Sequence, residues 1–197
     1  MTEELEFETY LRITKKNFGI YLFDKKKSIN LYEEEMEFDR EIRNIDYKLL
    51  PKFLENNIFK IEKLIGKFIK NIIVIIENEK IFFVDIGIKK KSYEKKIDKI
   101  YLENILTEAK DIIKETIHQQ KIIHMLITKY IIDGNYSSKF TGAIECDNLC
   151  LELKFISIPN NVILEIEKIL EYYQIKVSNC LDCNYIENFF KNSHISL

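Results

Sequence analysis

The sequence predicts an α+β fold with a mixed sheet, and three features support that prediction. Short runs rich in β-branched and aromatic residues come first, an amphipathic helical pattern follows, and strands then alternate with helices. No Pro-, Gly- or Ser-rich linker interrupts the series. With 197 residues, of which 46% are hydrophobic, the chain can bury the core of one domain or of two small ones. Any second domain is therefore expected to be an insertion.

The N-terminal runs predict two or three antiparallel strands. They are rich in β-branched and aromatic residues, and a polar segment that begins at Asp24 separates the second run from the third. The runs are TYLRI (9–13), FGIYLFD (18–24) and SINLYEEEMEF (28–38).

The first helix is predicted over about 46–65, because apolar residues recur there at three- and four-residue spacing. Asp46 is a plausible N-cap for this helix. Pro51 nevertheless favours a start nearer Leu49 or Leu50, since proline is best tolerated in the first turn.

The remaining elements show either the composition and alternation of strands or the three- and four-residue spacing of helices. The apolar run IIVII (72–76) indicates a central strand covered on both faces, and KIFFVDIGIKKK (80–91) starts a new strand. Asp98 and Asn160 are each predicted to cap a helix, and a last helix starts near Asn184. The apolar face of the Asp98 helix consists of Leu102, Ile105, Leu106, Ala109, Ile112 and Ile113. The other strand patterns are KIIHMLITKYIIDG (121–134), LCLELKFISI (149–158) and IKVSNCL (175–181).

Charge and hydropathy exclude several classes of function. The chain has 30 Lys and Arg against 32 Asp and Glu, so its formal net charge of -2 gives no global basic field for nucleic acid. The N-terminus, MTEELEFETYLRI (1–13), is acidic and lacks the apolar region of a secretory signal. The longest apolar stretch, 72–76, is far shorter than the ~20 residues that span a bilayer. We therefore expect a cytoplasmic protein without a transmembrane helix.

Four cysteines form a CxxxC and a CxxC pair, which is one arrangement that could bind zinc. They are Cys146, Cys150, Cys180 and Cys183. The CxxC segment lacks a glycine-bearing knuckle, so reduced thiols in an intracellular protein are the favoured interpretation, and no metal site is expected. His118, His124 and His194 lack metal-ligand spacing, and His124 lies in an apolar strand pattern typical of a core histidine.

Two further patterns could contact a partner or a membrane. A lysine run comprises Lys89, Lys90, Lys91, Lys95, Lys96 and Lys99. It could dock an acidic partner, anionic lipid or nucleic acid, but such runs are usually solvated, and Tyr93 alone interrupts this one with an aromatic ring. A possible membrane-facing helix side at the C-terminus consists of Tyr185, Ile186, Phe189 and Phe190, with Lys191 at its rim. So short a segment is better interpreted as a core helix.

Four segments share an order and spacing with one protein family. DKIYLENILTEAK (98–110) is followed by KIIHMLITKYIIDG (121–134), then by LELKFISI (151–158) and a helix that ends in YQIKV (173–177). This arrangement resembles FtsA, the actin-like cell-division protein of bacteria. The resemblance extends over about 9–183, and its best-matched part is similar to the SHS2-type subdomain inserted in that family.

The resemblance implies a partial actin-like (ribonuclease H-like) half with a mixed sheet and an inserted SHS2-type α/β subdomain. It places the N-terminal part of the actin-like subdomain at 1–82, the inserted subdomain at 83–176, and a return strand with the start of a helix at 177–197. The nucleotide site of actin-like ATPases lies between two homologous halves. Because this chain stops where the second half should begin, we do not expect it to bind ATP.

The phosphate loop of the family is degenerate in this chain. In the family it has the form L-D-I-G-T-S, in which the Asp holds Mg²⁺ through water and the Gly lets backbone N–H groups approach phosphate. The aligned residues are LRITKK (11–16), so Arg12 replaces the carboxylate and Thr14 replaces the glycine. Arg12, Lys15 and Lys16 could still bind phosphate as cations, but a decayed, solvated loop is favoured. We predict no catalytic, cofactor-binding or metal-binding residue and no enzyme activity.

The resemblance implies a non-catalytic FtsA-like cell-division protein or fragment that acts through protein contacts. Its partners would be other cell-division proteins, with self-association as a further expectation. It carries no direct membrane anchor and would reach the inner face of the membrane at the division site through those partners. The candidate contact residues are Lys89, Lys90, Lys91, Tyr130, Asp133, Gly134 and Glu152.

Three alternatives stay open at the level of sequence. The chain could be half of a split actin-like ATPase that another chain completes. It could be a type IV pilus assembly protein, since that machinery shares the actin-like core. It could also be a binding module for anionic polymers or lipid, as the lysine run at Lys89 suggests.

Overall fold

The computed structural model describes residues 6–39, 47–91, 96–137, 139–140 and 142–192. The chain divides into two compact units, which we call the terminal unit and the inserted unit. The terminal unit comprises Met1–Glu79 and Asn161–Leu197, and the inserted unit comprises Lys80–Asn160. The inserted unit thus ends where the helix at Asn160 begins, whereas the range expected from the resemblance, 83–176, runs through that helix.

Helices and strands are numbered in chain order. The first are β1 (Phe7–Ile13), β2 (Asn17–Asp24), β3 (Ile29–Glu37), α1 (Leu50–Ile65), β4 (Asn71–Ile76), β5 (Phe82–Lys91), β6 (Lys96–Ile97) and α2 (Lys99–Thr116). The others are β7 (Gln120–Ile132), β8 (Asn135–Ser137), β9 (Ile144–Glu145), β10 (Asn148–Pro159), α3 (Asn160–Glu171), β11 (Lys176–Asp182) and α4 (Cys183–Asn192). Each strand and helix predicted from the sequence is present. The short strands β6, β8 and β9 were not predicted, because two or three residues carry no periodicity.

The terminal unit is built on a five-stranded mixed sheet in the order β11-β4-β1-β2-β3. β1, β2 and β3 are antiparallel neighbours, as predicted, while β4 is parallel to both β1 and β11. Leu11 and Ile13 of β1 are fully buried beside buried residues of β2 and β4. One face of this sheet therefore forms the core of the unit.

Helix α1 covers that buried face. The ring of Phe53 lies 6.1 Å from the ring of Phe18, measured between centroids. The hydroxyl of Tyr32 donates a hydrogen bond to Oδ1 of Asn57 at 2.6 Å. These contacts fix α1 against β2 and β3.

The ends of α1 follow local rules. The helix starts at Leu50, after a 3-10 turn at Tyr47–Leu49, so Pro51 lies in its first turn as predicted. Asp46, the proposed cap, lies outside the described residues. Gly66 ends the helix with a left-handed φ of 68°, a conformation that glycine adopts without strain.

Strand β4 is central, as predicted, but only one of its faces is fully covered. Its inward side chains, at most 1% exposed, are Ile72, Val74 and Ile76. Ile73 and Ile75 are half-buried, and Arg12 of β1 pairs with Ile75 on that second face. The prediction of full cover on both faces was wrong, because a β-branched run suits a half-covered strand equally well.

The inserted unit has a four-stranded antiparallel sheet in the order β5-β10-β7-β8, packed on α2. The buried cluster between them contains Ile97, Leu102, Ile105, Ala109, Ile113, Leu149, Leu151, Leu153 and Phe155. The carboxylate of Asp98 caps α2, as predicted, by accepting a hydrogen bond from Tyr101 N at 2.8 Å. Ile112 was predicted on the buried face but is 49% exposed, because it lies about 100° around the helix from Ile113.

Helix α4 begins immediately after β11, so the predicted final helix is confirmed. Tyr185 and Ile186 are half-buried on it, whereas the side chains of Phe189, Phe190 and Lys191 lie outside the described part of the chain. Within the described ranges, no helix is both long and apolar enough to span a bilayer.

Candidate functional site

The turn between β1 and β2 is where the resemblance places a phosphate loop. Thr14 is only 4% exposed, and its Oγ1 accepts hydrogen bonds from the backbone N–H groups of Lys16 at 3.1 Å and Asn17 at 3.0 Å. The same hydroxyl lies 2.7 Å from Oδ1 of Asn17, to which it donates. Thr14 is therefore not solvated, because its hydroxyl takes the place of water at these donors, whereas Lys16 is exposed.

Two glutamates that follow β4 complete the turn. Glu77 Oε2 accepts a hydrogen bond from the backbone N–H of Lys15 at 3.3 Å, and Glu79 pairs with Lys15 Nζ at 2.5 Å. The backbone N–H of Thr14 donates to the carbonyl of Asn17 at 3.0 Å. Each backbone N–H of residues 14–17 is thus bonded within the chain.

Arg12 connects β1 to α4. Its Nη2 lies 2.6 Å from Oε1 of Glu187 and 3.8 Å from Sγ of Cys183. Burial raises the pKa of the Cys183 thiol to about 11, because the opposing effect of Arg12 is smaller and Glu187 adds to the rise. Cys183 is therefore protonated at neutral pH and is not a nucleophile.

Tyr21 extends these contacts across β2 and β3. Its hydroxyl donates to Oε1 of Glu35 and also hydrogen-bonds Arg12. Burial and the hydrogen bond to Glu35 raise the pKa of Tyr21. Glu35 Oε2 accepts from Nδ2 of Asn17 at 2.8 Å. A Cβ at Gly19 would lie 2.6 Å from the Tyr21 hydroxyl, so glycine lets the ring lie across the strand.

These side chains form one connected set. We call it the turn network, and its members are Thr14, Asn17, Glu35, Tyr21, Arg12 and Glu187. It joins the β1–β2 turn to β3 on one side and to α4 on the other. Its polar atoms bond mainly to one another.

Asp182 lies at the end of β11 and is 1% exposed. Its Oδ2 accepts a hydrogen bond from Tyr185 N at 3.0 Å, which caps the first turn of α4. Burial raises the pKa of Asp182, and the charges of Glu77 and Glu187 add to the rise. The ends of the parallel strands therefore gather several carboxylates at the same place as Arg12 and Lys15.

The predicted contact residues of the inserted unit lie in different surroundings. Lys89 and Lys91 are exposed at the end of β5, on the sheet face away from α2. Lys90 points the other way and binds a glutamate of α2 at 2.7 Å. Glu152 lies on the same open face as Lys89 and pairs with Lys129 at 2.9 Å. Lys89, Lys91 and Glu152 thus share one surface.

Tyr130, Asp133 and Gly134 have contacts within the fold. Tyr130 packs against the core of the inserted unit, and its ring stacks on Phe140 at 6.0 Å between centroids. Asp133 and Gly134 form the β7–β8 turn with φ angles of 47° and 85°. The carboxylate of Asp133 accepts two backbone N–H bonds, at 2.8 and 3.0 Å, where β10 begins. The structure therefore does not place Tyr130 on the face that carries Glu152.

The cysteines and histidines take separate places. Cys146 and Cys150 belong to the inserted unit, Cys180 and Cys183 belong to the terminal unit, and all four are reduced. His118 is exposed, while His124 is half-buried and burial lowers its pKa. His194 lies outside the described residues. Across the described ranges, no cluster of His, Cys, Asp and Glu has a metal-binding arrangement.

Sequence reasoning missed several members of the site. Glu77 and Glu187 were not singled out, and neither were Tyr21 and Glu35, because β-strand patterning assigns them no special role. One signal could have found Glu77 and Asp182. Both lie at the carboxyl ends of predicted strands, 72–76 and 175–181, and functional groups of α/β sheets gather at such strand ends.

The open face of the inserted sheet contains a shallow depression of about 370 Å³. It is lined by Thr128, Lys129, Tyr136 and Ser137. Tyr136 is 74% exposed, and the Lys129 ammonium lies 5.7 Å from the centre of its ring. This depression was also not predicted, because β8 was not recognised as a strand.

Comparison with known proteins identifies similar folds. No family model and no curated protein matches this chain. A chain of the PilM–PilN type IV pilus biogenesis complex matches with a TM-score of 0.59 and 7% identity, over 96% of this chain and 51% of that chain. The cytoplasmic domain of EpsL, an inner membrane component of the type II secretion system of Vibrio cholerae, matches with a TM-score of 0.42 and 8% identity. This match covers 89% of this chain and 55% of that chain. A Bacteroides thetaiotaomicron protein with an actin-like ATPase fold matches with a TM-score of 0.38 and 13% identity, over 95% of this chain and 57% of that chain.

This chain shares its fold with a chain of the PilM–PilN complex. The match to the PilM–PilN complex carries this assignment, and at 7% identity it shows the fold alone. The predicted mixed sheet is confirmed, whereas a match at this identity shows neither the actin-like superfamily nor FtsA in particular. The chain spans about half the length of the structures it matches, from 51% to 57%.

Proposed function

We propose that this chain is a non-catalytic protein of the actin-like fold that acts by binding other proteins in a multiprotein assembly. The observation that carries the proposal is the state of the β1–β2 turn. A phosphate loop works by presenting unbonded backbone N–H groups to phosphate oxygens. Here each backbone N–H of residues 14–17 is bonded within the chain, chiefly by Thr14 and Glu77.

The charges around the turn support the same proposal. Arg12 and Lys15, the cations that could attract phosphate, are already paired with Glu187 and Glu79. The carboxylate of Glu77 also faces the turn, so an approaching phosphate would displace these pairs and meet uncompensated negative charge. Arg12 occupies the position in β1 where the family has the aspartate that holds Mg²⁺, so β1 supplies no carboxylate for the metal there. The residues present do not fit the phosphates and metal of Mg-ATP.

Protein binding is proposed for the open face of the inserted sheet. That face combines the exposed Tyr136 ring with surface ion pairs, Lys129 with Glu152 and Lys154 with Asp85. An exposed tyrosine rimmed by charged groups is typical of the places where proteins meet, because the ring offers large contact area at small entropic cost. The predicted contact residues Lys89, Lys91 and Glu152 lie on this face, whereas Tyr130 does not.

Two machineries are candidates for the assembly. The structural match to the PilM–PilN complex covers 96% of the chain and favours a role in pilus or related envelope assembly. The sequence resemblance over 98–177 favours an FtsA-like role with other division proteins at the inner face of the membrane. In the second case, we also propose that the inserted unit corresponds to the SHS2-type subdomain of that family.

The non-catalytic part of the proposal is tested by calorimetry of the purified chain with Mg-ATP and Mg-ADP. We expect no saturable heat of binding at millimolar nucleotide, while a known actin-like ATPase in the same buffer binds. Tight binding to this chain would overturn the proposal and would favour the split-ATPase alternative.

The protein-binding part is tested by photo-cross-linking in living cells. A photoreactive phenylalanine replaces Tyr136 on the open face or, as a matched control, Tyr172, which is 85% exposed in the terminal unit. We expect adducts with other proteins from position 136 only, and their masses identify pilus or division components. Equal labelling from both positions, or none from 136, would contradict the proposed face.

A further inference from the structure

The last turns of α1 and the segment that follows them expose large apolar side chains. Phe59 is 70% exposed, Leu64 55% and Phe68 80%. Side chains of this kind are usually buried, so a group of them at the surface of one segment marks a place of contact. We call this region, residues 59–70 (FKIEKLIGKFIK), the α1-end surface.

The backbone fixes the end of this surface. Gly66 ends α1 in the left-handed conformation, and Oε1 of Glu62 accepts a hydrogen bond from the backbone N–H of Ile69 at 3.1 Å. Ile69 is only 5% exposed and anchors the segment in the core. Because its neighbour is anchored in this way, Phe68 is held on the outside of the fold.

Four exposed lysines are interleaved with the apolar side chains. They are Lys60, Lys63, Lys67 and Lys70. No carboxylate of the described residues forms an ion pair with any of them. Lys67 Nζ lies 5.3 Å from the centre of the Phe7 ring. The sequence of residues 59–70 contains one carboxylate, Glu62, so the surface is positive although the chain as a whole has a net charge of -2.

Helical spacing brings the two kinds of side chain together. Residues four positions apart are neighbours on a helix, so Phe59 lies beside Lys63 and Lys60 lies beside Leu64. The last buried residue of α1 is Ile61. Over its final turn the helix therefore offers apolar and cationic groups side by side.

We propose that the α1-end surface binds directly to the anionic lipid headgroups of a membrane. The lysines attract the headgroups, and the exposed apolar side chains gain by leaving water at the boundary with the acyl chains. A partner that is only acidic would use the lysines and leave Phe59 and Phe68 in water. A lipid surface offers both environments, so the interleaving of the two kinds of side chain favours it.

The contact is peripheral, because the apolar face of α1 itself stays in the core and only the exposed groups reach the lipid. The inference goes beyond the proposed function, since the ligand is lipid and the surface belongs to the terminal unit. The family resemblance implies no direct membrane anchor in this chain, and the lysine run at Lys89 belongs to the inserted unit. Failure of the lipid contact would leave the proposed binding of proteins by the open face unaffected.

The test uses tryptophan fluorescence, because the natural chain contains no tryptophan. Phe68→Trp places one on the α1-end surface, and the control Tyr136→Trp places one at a position of the inserted unit that is 74% exposed. Each variant is titrated with vesicles of phosphatidylcholine alone and with vesicles of phosphatidylcholine and phosphatidylserine in equal parts. Circular dichroism verifies that each variant is folded.

With the anionic vesicles only, we expect the emission of Phe68→Trp to move to shorter wavelength and to be quenched by brominated lipid. Tyr136→Trp should show neither change. In the Phe68→Trp chain, adding Lys60→Gln/Lys63→Gln should weaken vesicle binding at least about tenfold, because two cations leave the surface while helix propensity is kept. Lys89→Gln/Lys91→Gln removes the same charge from β5 and should leave binding unchanged.

Three results would overturn the proposal. The first is no binding to the anionic vesicles. The second is binding without quenching at position 68, which would identify a site for acidic proteins or nucleic acid instead of a membrane. The third is a loss of binding from Lys89→Gln/Lys91→Gln as large as that from Lys60→Gln/Lys63→Gln, which would mean that the α1-end surface has no special part in the contact.

Discussion

The two sheets of this chain use polar side chains in different ways. At the β1–β2 turn of the terminal sheet, Thr14, Arg12 and Glu77 bond to groups of the same unit. Thr14 is buried, and the side chain of Arg12 is 31% exposed. On the open face of the inserted sheet, Lys129 and Glu152 pair at the surface, with side chains 54% and 38% exposed. The first arrangement bonds every backbone N–H of residues 14–17 within the chain, at the turn where the family resemblance places a phosphate loop. The second leaves polar and aromatic groups accessible to a partner.

This contrast is the basis of our proposal that the chain binds other proteins and does not bind nucleotide. A loop that binds phosphate needs unbonded N–H groups and backbone room, and both disappear when a hydroxyl and a carboxylate take the donors. A sheet face needs no such geometry to bind protein. The ability of a sheet face to bind a protein depends on its exposed area and charge, and both tolerate wide sequence change.

The largest expected effect concerns the packed face of the inserted sheet. Phe155→Ala removes a fully buried ring between β10 and α2, and we expect it to lower the free energy of unfolding by about 3–5 kcal/mol. Tyr136→Ala on the open face of the same sheet should change it by no more than about 0.5 kcal/mol. Urea denaturation followed by circular dichroism measures both. Similar losses from the two variants would mean that the open face is packed.

The next effect concerns the closed turn. Thr14→Val keeps the shape but removes the acceptor of two backbone N–H groups, so the free energy of unfolding should fall by about 1–3 kcal/mol. Thr14→Ser keeps the hydroxyl and should restore most of the loss. Urea denaturation followed by circular dichroism measures the free energy of unfolding of both variants. If the valine variant is as stable as the natural chain, water replaces the hydroxyl and the turn is open.

A smaller effect distinguishes the ion pairs of the two regions. A double-mutant cycle with Arg12→Met and Glu187→Gln should give a coupling of up to about 1 kcal/mol, since the side chains are 31% and 37% exposed. The cycle with Lys129→Met and Glu152→Gln should give a weaker coupling that vanishes in molar salt. A stronger coupling for the Lys129 pair would reverse the comparison.

The smallest effect is a pH dependence from His124. Burial lowers its pKa in the folded chain, so the folded state binds fewer protons than the unfolded state as the pH falls through about 6.5. This histidine therefore contributes stability above that pH that is lost as the pH falls below it. His124→Gln should flatten this part of the stability profile between pH 7.5 and 5.5. An identical profile for the two proteins would show that His124 is solvated.

The fold was largely predictable because its signals are local. The cap at Asp98, the proline near the start of α1 and the alternation along β10 each specify an element within a few residues. Ile112 shows the limit, since a wide apolar stripe does not say which edge residue stays outside. The half-covered face of β4 shows the same limit for a continuous apolar run.

The site was less predictable because its contacts are distant in sequence. Arg12 and Thr14 were singled out as departures from a phosphate loop, but their partners were not. Glu187 lies 175 residues from Arg12, and Glu79 lies 64 residues from Lys15. No periodicity links residues so far apart, and only the parallel pairing of β1, β4 and β11 brings them together.

The central claim is that the β1–β2 turn is closed to phosphate. Its most direct test is a titration of the isotopically labelled chain with Mg-ATP, in which NMR follows the backbone amide signals of residues 14–17. We predict that these signals do not move up to millimolar nucleotide, because their N–H groups stay bonded to Thr14, Glu77 and Asn17. Saturable shifts of the Lys15 and Lys16 amides at micromolar Mg-ATP would contradict the account.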